Sequence, residues 1–294
     1  MTHALLITNP ASGSSDEMSP QDLLEQLERL GRVEVLEPSS KDAFADEVRS
    51  AAADKDLVIV AGGDGSLHHT VNALAERLED ITFGLIPMGT GNDLAGSLGL
   101  PEDPDDAARS IHTYGERRID VGRASGPGFE RLFLNASIGG FPVEADNAID
   151  EKTKKRLGPL AFWLGGIKAA ANLKDWSVTL NGVGVVDCVA VGVGNGITCG
   201  GGIPVWPKAR LDDGLLEACA LSASNLAAAL RLGANVKAGN HPDLDEVVYF
   251  SAAEIEISAS PAVELNLDGE LLGLETPARF DIVASLRIRA PSPG

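Results

Sequence analysis

The chain is 294 residues long, 44% hydrophobic and 23% charged, a globular composition that excludes a disordered or collagen-like polymer. A length of this order predicts two domains of ordinary size, each with its own core. With 24 Lys and Arg against 43 Asp and Glu, the net charge of -19 repels phosphate backbones and excludes general nucleic-acid binding.

The first hundred residues alternate strand and helix patterns. HALLITN is a short apolar strand. SPQDLLEQLERLG is a helix with Leu23, Leu24, Leu27 and Leu30 at apolar positions and Gly31 as its stop. VEVLE and SKDAFADEVRSAAA repeat the pair. DLVIVAGG is apolar throughout, as a strand buried on both faces requires. The helix after it carries Leu67, Val71, Leu74 and Leu78 at helical spacing, and ITFGLIP is a fourth strand. This rhythm predicts an open parallel sheet with helices on both faces. Beyond about residue 120 the texture changes to short alternating segments with Gly, Asn or Asp turns: ERLFLNASI, SVTLNGV, DCVAVGVGN, LLEACAL, AEIEISA and AVELNLDGE. A β-rich second domain is expected, giving domains 1–123 and 124–294, with helical stretches from Asp146 to Leu173 and from Ser224 to Ala238.

Cys188, Cys199 and Cys219 form no CxxC and indicate neither a zinc site nor a disulfide framework. The amino terminus lacks the basic start of a signal peptide. The most apolar stretch, Leu157 to Ala171, is interrupted by three glycines, Pro159 and Lys168. A cytoplasmic chain is expected, with room for peripheral contact at the inner face of the membrane.

Three glycine-rich turns follow predicted strands. Ala61-Gly62-Gly63-Asp64-Gly65-Ser66 joins a buried strand to an amphipathic helix, where backbone N–H groups at the positive end of the helix dipole suit phosphate. It is neither a Walker A loop nor the Rossmann fingerprint, whose third glycine is His68 here. The plain alternative is a tight turn. Pro87-Met88-Gly89-Thr90-Gly91-Asn92-Asp93 ends the fourth strand, and Asn9-Pro10-Ala11-Ser12-Gly13 the first. The carboxyl ends of parallel strands are where open α/β sheets bind ligands. In the second half, Asp213-Gly214 and Asp268-Gly269 are hairpin-turn signals. Asp268 and Glu270 add two carboxylates at one turn, able to supply a general base and a magnesium ligand.

Taken in order, NPxSG at 9, GGDGS at 62, GTGND at 89, LDDGLLEA at 211 and NLDGE at 266 resemble the bacterial diacylglycerol-kinase-like lipid kinases. That family is related to sphingosine and ceramide kinase catalytic domains and, more distantly, to NAD kinases. The resemblance covers nearly the whole chain. It implies a Rossmann-like nucleotide-binding α/β domain, a C-terminal β-sandwich for the lipid acceptor, and ATP in the cleft between them. Gly62, Gly63, Asp64, Gly65 and Ser66, followed by Leu67 and His68, would hold the ATP phosphates. Asn9, Pro10, Ala11, Ser12, Gly13 and Thr90 would line the nucleotide site. Asp268 and Glu270 match the family's catalytic carboxylates, which deprotonate the lipid hydroxyl. Asp64, Asp93 and Asp120 match an acidic network around Mg²⁺, and Asp213 with backbone oxygens of Arg210 and Leu215 a structural Mg²⁺ site.

The chain departs from the family pattern at Ser66, where threonine is usual, at His68-His69, where an Asn-Glu pair is usual, and at Ser14, where a basic residue often stands. The chain stops at Gly294 soon after a strand, so a segment returning to the first domain is expected to be short or absent. The expected activity is phosphoryl transfer from ATP to a lipid alcohol. A kinase of a water-soluble alcohol, as in the NAD-kinase branch, and a nucleotide-binding module with little turnover are the alternatives. Lys152, Lys154, Lys155 and Arg156, just before Phe162 and Trp163, form a dense basic cluster suited to an anionic membrane surface. A solvated charged helix start would look the same. A homodimer is compatible with all three readings.

Overall fold

The structure, a computed structural model, describes residues 2–8, 19–27, 30–140 and 177–292. The predicted turn from Asn9 to Gly13, the helical stretch from Asp146 to Leu173 and the basic cluster at Lys152 to Trp163 lie outside these residues. The chain divides into two compact units, residues 1–121 with 284–294, and residues 122–283.

The first unit contains β1 (Thr2–Thr8), α1 (Pro20–Leu27), β2 (Gly31–Leu36), α2 (Phe44–Ala51), β3 (Leu57–Gly62), α3 (Asp64–Ala73), β4 (Thr82–Pro87), α4 (Asp93–Leu98), α5 (Pro104–Ser110) and the start of β5 (Glu116–Gly126). β1 pairs in parallel with β2 and β3, and β3 with β4, giving the order β2-β1-β3-β4. The parallel sheet expected from sequence is present. β3 and β4 are buried along their whole length, β3 with an unbroken apolar sequence and β4 with Thr82 as its one polar side chain. Leu67, Val71 and Leu74 are buried as their spacing predicts. α3 nevertheless ends at Ala73, and Leu78 follows a separate short turn. α5 has a start signal legible in the sequence: Asp103 accepts the amides of Asp105 and Asp106 at 3.0 and 3.1 Å, with Pro104 in the first turn.

The second unit contains the rest of β5, then β6 (Phe129–Phe133), β7 (Ala136–Gly140), β8 (Ser177–Leu180), β9 (Val183–Val185), β10 (Cys188–Gly194), β11 (Leu216–Ser222), α6 (Leu226–Ala238), β12 (Val247–Ala252), β13 (Glu254–Ser260), β14 (Glu264–Leu267), β15 (Glu270–Glu275) and most of β16 (Ala278–Arg289). Two sheets form a β-sandwich. One has the order β12-β11-β10-β7-β14-β15; the other runs β9-β8-β13-β16, with β5 beside β16 and β6 beside β5. Between them lie Phe133, Val191, Val193, Leu216, Ala218, Ile255, Leu265 and Phe280, all buried. The outer face of the first sheet is covered by α6 through Leu232 and Val236, which share a core with Cys219, Leu221 and Trp206. β10 and β11 therefore pack apolar side chains on both faces, with buried Glu217 as the exception in β11. Period two sorts the β11 side chains: Leu216, Ala218 and Ala220 face one core, Cys219 and Leu221 the other.

Two expectations are corrected. The segment ERLFLNASI is not one strand. β6 ends at Phe133, β7 begins at Ala136, and the two belong to different sheets. Residues 284–294, assigned above to the second domain, belong to the first unit. There Arg287 and Ile288 extend the parallel sheet by pairing with Thr82 and Phe83 of β4. The return is held by side chains as well: Arg287 Nη2 donates to Glu79 O at 3.0 Å and Arg289 Nη1 to Tyr114 O at 3.0 Å. Both arginines face Glu116, at 3.9 and 3.6 Å.

No disulfide joins the three cysteines. Burial pushes the Cys188 thiol up to about 12 and raises that of Cys219 as well, so neither forms an appreciable thiolate at neutral pH. Cys199 is half-buried. Titration with a thiol reagent at pH 8 is expected to show one fast group in the native protein and three after denaturation. Three fast groups in the native state would contradict the packing of β10 and β11.

Candidate functional site

In the first unit, β3 and β4 end side by side, with Gly62 opposite Pro87, and each leads through a glycine turn into a helix. The two turns touch backbone to backbone. A Cβ on Gly89 would lie 2.6 Å from the Cα of Gly63, and one on Gly63 would lie 3.1 Å from the Cα of Gly89. Glycine is required at 89 because the other turn occupies the space, and at 63 a side chain would crowd the backbone of Gly89. Asn92, in the left-handed region at φ 50°, braces its own turn: Gly89 N donates to Asn92 Oδ1 at 2.9 Å and Asn92 Nδ2 donates to Gly89 O at 2.7 Å.

Asp64 links the two turns. Its carboxylate accepts the amides of Asp93 and Leu94 at 2.9 and 3.1 Å, which caps α4 from a distant part of the chain. The helix that Asp64 itself begins has no side-chain cap at Gly63. The N-terminus of α3 thus keeps a positive dipole end with N–H donors and suits the oxygens of a phosphate group.

The other residues predicted for this unit are placed as follows. Leu67 and His68 are 1% and 2% exposed, one turn into α3, so their side chains belong to the packing. The Leu67 amide donates to Gly63 O at 3.3 Å. Asn72 Nδ2 donates to His68 O at 2.9 Å, and His69 meets Phe44 edge-on at 6.0 Å. The His68 and His69 rings stand edge to face at 82° with centroids 5.4 Å apart, their Cβ atoms diverging as on any helix. Thr90 is exposed, Asp93 buried, and Asp120 half-buried on β5. Asp64, Asp93 and Asp120 do not form a close carboxylate trio. Among the described residues, the acidic side chains that lie within 4.8 Å of one another as a group of three are Asp103, Asp105 and Asp106. That group is the first turn of α5 with its cap Asp103, and Arg109 pairs with Asp105 and Asp106.

In the second unit, Asp213 is exposed, and its carboxylate accepts the Leu215 amide at 3.0 Å. Arg210 pairs with Asp212 at 3.5 Å. Asp268 and Gly269 form the two-residue turn between β14 and β15, both at positive φ, 48° and 87°. The sequence signal for a hairpin is accurate. The Asp268 side chain goes further. It is only 6% exposed, and it accepts three successive amides: Leu134 N at 3.0 Å, Asn135 N at 2.8 Å and Ala136 N at 3.1 Å. Asp268 N returns a bond to Ala136 O at 2.8 Å. This is why the predicted strand breaks at residues 134 and 135: their amides serve a carboxylate rather than a ladder. Glu270 opens β15, half-buried.

Sequence reasoning missed Asn135 and Asn195. Both are buried, at 4% and 0% exposure, and both join the segment that holds Asp268. Their signal was available, since asparagine is disfavoured inside strands and both interrupt apolar strand patterns, in LFLNASI and VGVGNGI.

Residues 3–124 match the family described as "Diacylglycerol kinase catalytic domain", and residues 138–288 match "YegS C-terminal NAD kinase beta sandwich-like domain". A relative named diacylglycerol kinase from Bacillus subtilis (strain 168) is 31% identical over 291 residues, 95% of this chain and 93% of that protein. A probable lipid kinase, YegS-like, from Stenotrophomonas maltophilia (strain K279a) is 32% identical over 275 residues, 90% of this chain and 88% of that protein. A crystal structure from Bacillus anthracis str. Sterne, provisionally assigned as a diacylglycerol kinase, superposes with a TM-score of 0.79 at 27% identity, covering 98% of this chain and 95% of that one.

The geometry at residue 268 sets a stability difference between neighbouring carboxylates. Asp268→Asn removes the charge and sets an NH₂ group against at least one backbone donor, the Leu134 amide when its oxygen keeps the other two, and is expected to cost about 1–3 kcal/mol in urea unfolding. Glu270→Gln should stay within about 0.5 kcal/mol of wild type. Equal stability of the two variants would remove the three-amide clasp from the account.

Proposed function

Because the chain belongs to the diacylglycerol-kinase and YegS-like lipid kinase family, we propose that it transfers the γ-phosphate of ATP to the hydroxyl of diacylglycerol or a similar lipid alcohol, with Mg²⁺. The observation that carries this reading is the carboxylate pair at the β14–β15 turn, with Asp268 immobilised on three amides and Glu270 two residues away. Family membership makes the chain an ATP-dependent kinase; the identity of the acceptor and the need for the metal belong to the proposal.

Phosphoryl transfer asks a protein mainly for positioning and for neutralisation of charge. When bound, ATP with Mg²⁺ supplies the transferable group and part of that neutralisation. The remaining work falls to this chain. The uncapped N-terminus of α3 donates backbone N–H groups to phosphate oxygens, and the Gly63–Gly89 contact keeps side chains out of that approach. The cation expected at Asp64, Asp93 and Asp120 would have to draw together carboxylates that form no close group among the described residues. Asp213 with the carbonyls of Arg210 and Leu215 would hold a structural cation in the second unit. Asp268 receives the proton of the acceptor hydroxyl and Glu270 assists. A carboxylate held in one orientation loses no time to rotation and acts as a base over a fixed hydrogen-bond distance. A chain of net charge -19 has particular need of a cation to bring ATP near such carboxylates.

Transfer of radiolabelled phosphate from ATP to diacylglycerol, ceramide, sphingosine, an undecaprenol-type alcohol and NAD tests the assignment. Label is expected in a lipid and not in NAD. Label in NAD alone would move the chain to a water-soluble acceptor, and no label anywhere would leave a nucleotide-binding module. On the acceptor that is used, Asp268→Asn and Glu270→Gln should each lower kcat by about two orders of magnitude. Gly63→Val forces its side chain against Gly89 and across the phosphate approach, and should weaken ATP binding at least about tenfold by calorimetry. Unchanged ATP affinity in the folded variant would refute the phosphate-cradle assignment.

A further inference from the structure

We propose that Asn195 is a positioning residue for the Asp268 carboxylate and acts on it through two peptide planes. The proposal rests on the catalytic reading of Asp268 given above. Two of the three amides that Asp268 accepts, those of Asn135 and Ala136, go to the same oxygen, Oδ1, at 2.8 and 3.1 Å. Each amide N–H shares a planar peptide unit with the carbonyl of the preceding residue, and in a trans peptide the two groups point in opposite directions. The carbonyls of these two units are Leu134 O and Asn135 O, and both are held by residue 195 or its neighbour. Asn195 Nδ2 donates to Leu134 O at 2.7 Å. The amides of Asn195 and Gly196 both donate to Asn135 O at 2.8 Å. Asn135 Nδ2 ties the same stretch to Thr198 O at 2.9 Å.

Asp268 and Asn195 therefore grip opposite ends of the same two peptide planes. Leu134 and Asn135 lie between β6 and β7. The Asn135–Ala136 plane is held at its carbonyl by the backbone amides of Asn195 and Gly196 beside the β7–β10 pairing, whereas the Leu134–Asn135 plane is held at its carbonyl by the Asn195 side chain. Rotating the Leu134–Asn135 plane would swing the Asn135 N–H away from Oδ1 and leave the carboxylate without its shortest bond. A donor on the carbonyl also polarises the peptide and strengthens the N–H at its other end. The Asn195 side chain fits this task. It is fully buried, and its amide group supplies a neutral donor where an ionised aspartate in the same volume would set oxygen against the Leu134 carbonyl.

The test compares the full-length wild type with Asn195→Ala, Asn195→Asp and Asp268→Asn, using ATP and dioctanoylglycerol. Amide hydrogen exchange at Leu134, Asn135 and Ala136 is measured in parallel. Asn195→Ala should lower kcat by roughly ten- to a hundredfold, as for a misplacement of about 1 Å, with the KM for ATP within about twofold of wild type. Exchange at Asn135 should quicken at least about tenfold, while Val58 and Ile59 in β3 keep their protection. Asn195→Asp keeps the volume and loses the donor, so it should be at least as impaired as Asn195→Ala. Milder impairment in Asn195→Asp would mean that the side chain only fills space, and would overturn the proposal. Wild-type kcat and protection in Asn195→Ala, with Asp268→Asn inactive, would also overturn it and leave the catalytic reading standing. Full turnover in Asp268→Asn would instead remove the catalytic reading, and exchange at Asn135 would then decide alone whether Asn195 orients this segment. If dioctanoylglycerol is not phosphorylated by the wild type, the same exchange measurement decides.

Discussion

Three consecutive backbone amides donate to the carboxylate of Asp268 instead of to a neighbouring strand, and much of the second unit is arranged around that exchange. Buried amides need acceptors, and in a sandwich the usual acceptor is the next strand. Supplying a side chain instead releases the chain from one ladder. It can then leave the sheet of β6 and enter the sheet of β7 within two residues, without stranding its donors. The tight turn at Asp268-Gly269 is what brings the carboxylate to that crossing, so the hairpin, the change of sheet and the placement of the acid depend on one another.

The first unit treats its polar ends in the opposite way. Asp64 satisfies the start of α4, not that of its own helix. The turn that is braced from within by Asn92 is pressed against the turn at Gly62 and Gly63, where a side chain would meet its backbone. The start of α4 is closed by a carboxylate from elsewhere in the chain, whereas the start of α3 has no side-chain cap at Gly63 and, under the proposed function, meets phosphate. A carboxylate inside a glycine-rich turn at a helix start is accounted for by the backbone amides of the neighbouring turn that donate to it.

The fold was largely legible in the sequence because its signals are local. An unbroken apolar run marked β3, strand–helix alternation marked β4, period-two alternation marked β11 and β13, and the DG pair at 268 marked a true hairpin. The failures share a cause. Nothing local in LFLNASI says that its amides are claimed by a residue more than 130 positions later. Nothing local in SLRIR says that it pairs with the fourth strand of the first sheet. The candidate site was legible as residue types and not as partnerships. Asp64 and Asp268 were found, whereas the amides they hold, and the two asparagines that complete the second clasp, depend on contacts distant in sequence.

The closing pairing of β16 with β4 makes the first unit discontinuous in the chain, with the whole second unit inserted between its pieces. Synthesis on a ribosome runs from the amino terminus, so residues 1–121 emerge long before residues 284–289. During that interval one edge of β4, including the end that bears Thr82 and Phe83, has no strand to pair with. Phe83 is fully buried once the sheet is complete. An open edge with an apolar strand behind it invites pairing with another chain. The nascent protein must therefore carry that edge through the folding of an entire second unit, and the order of synthesis makes the amino-terminal half the last to be finished.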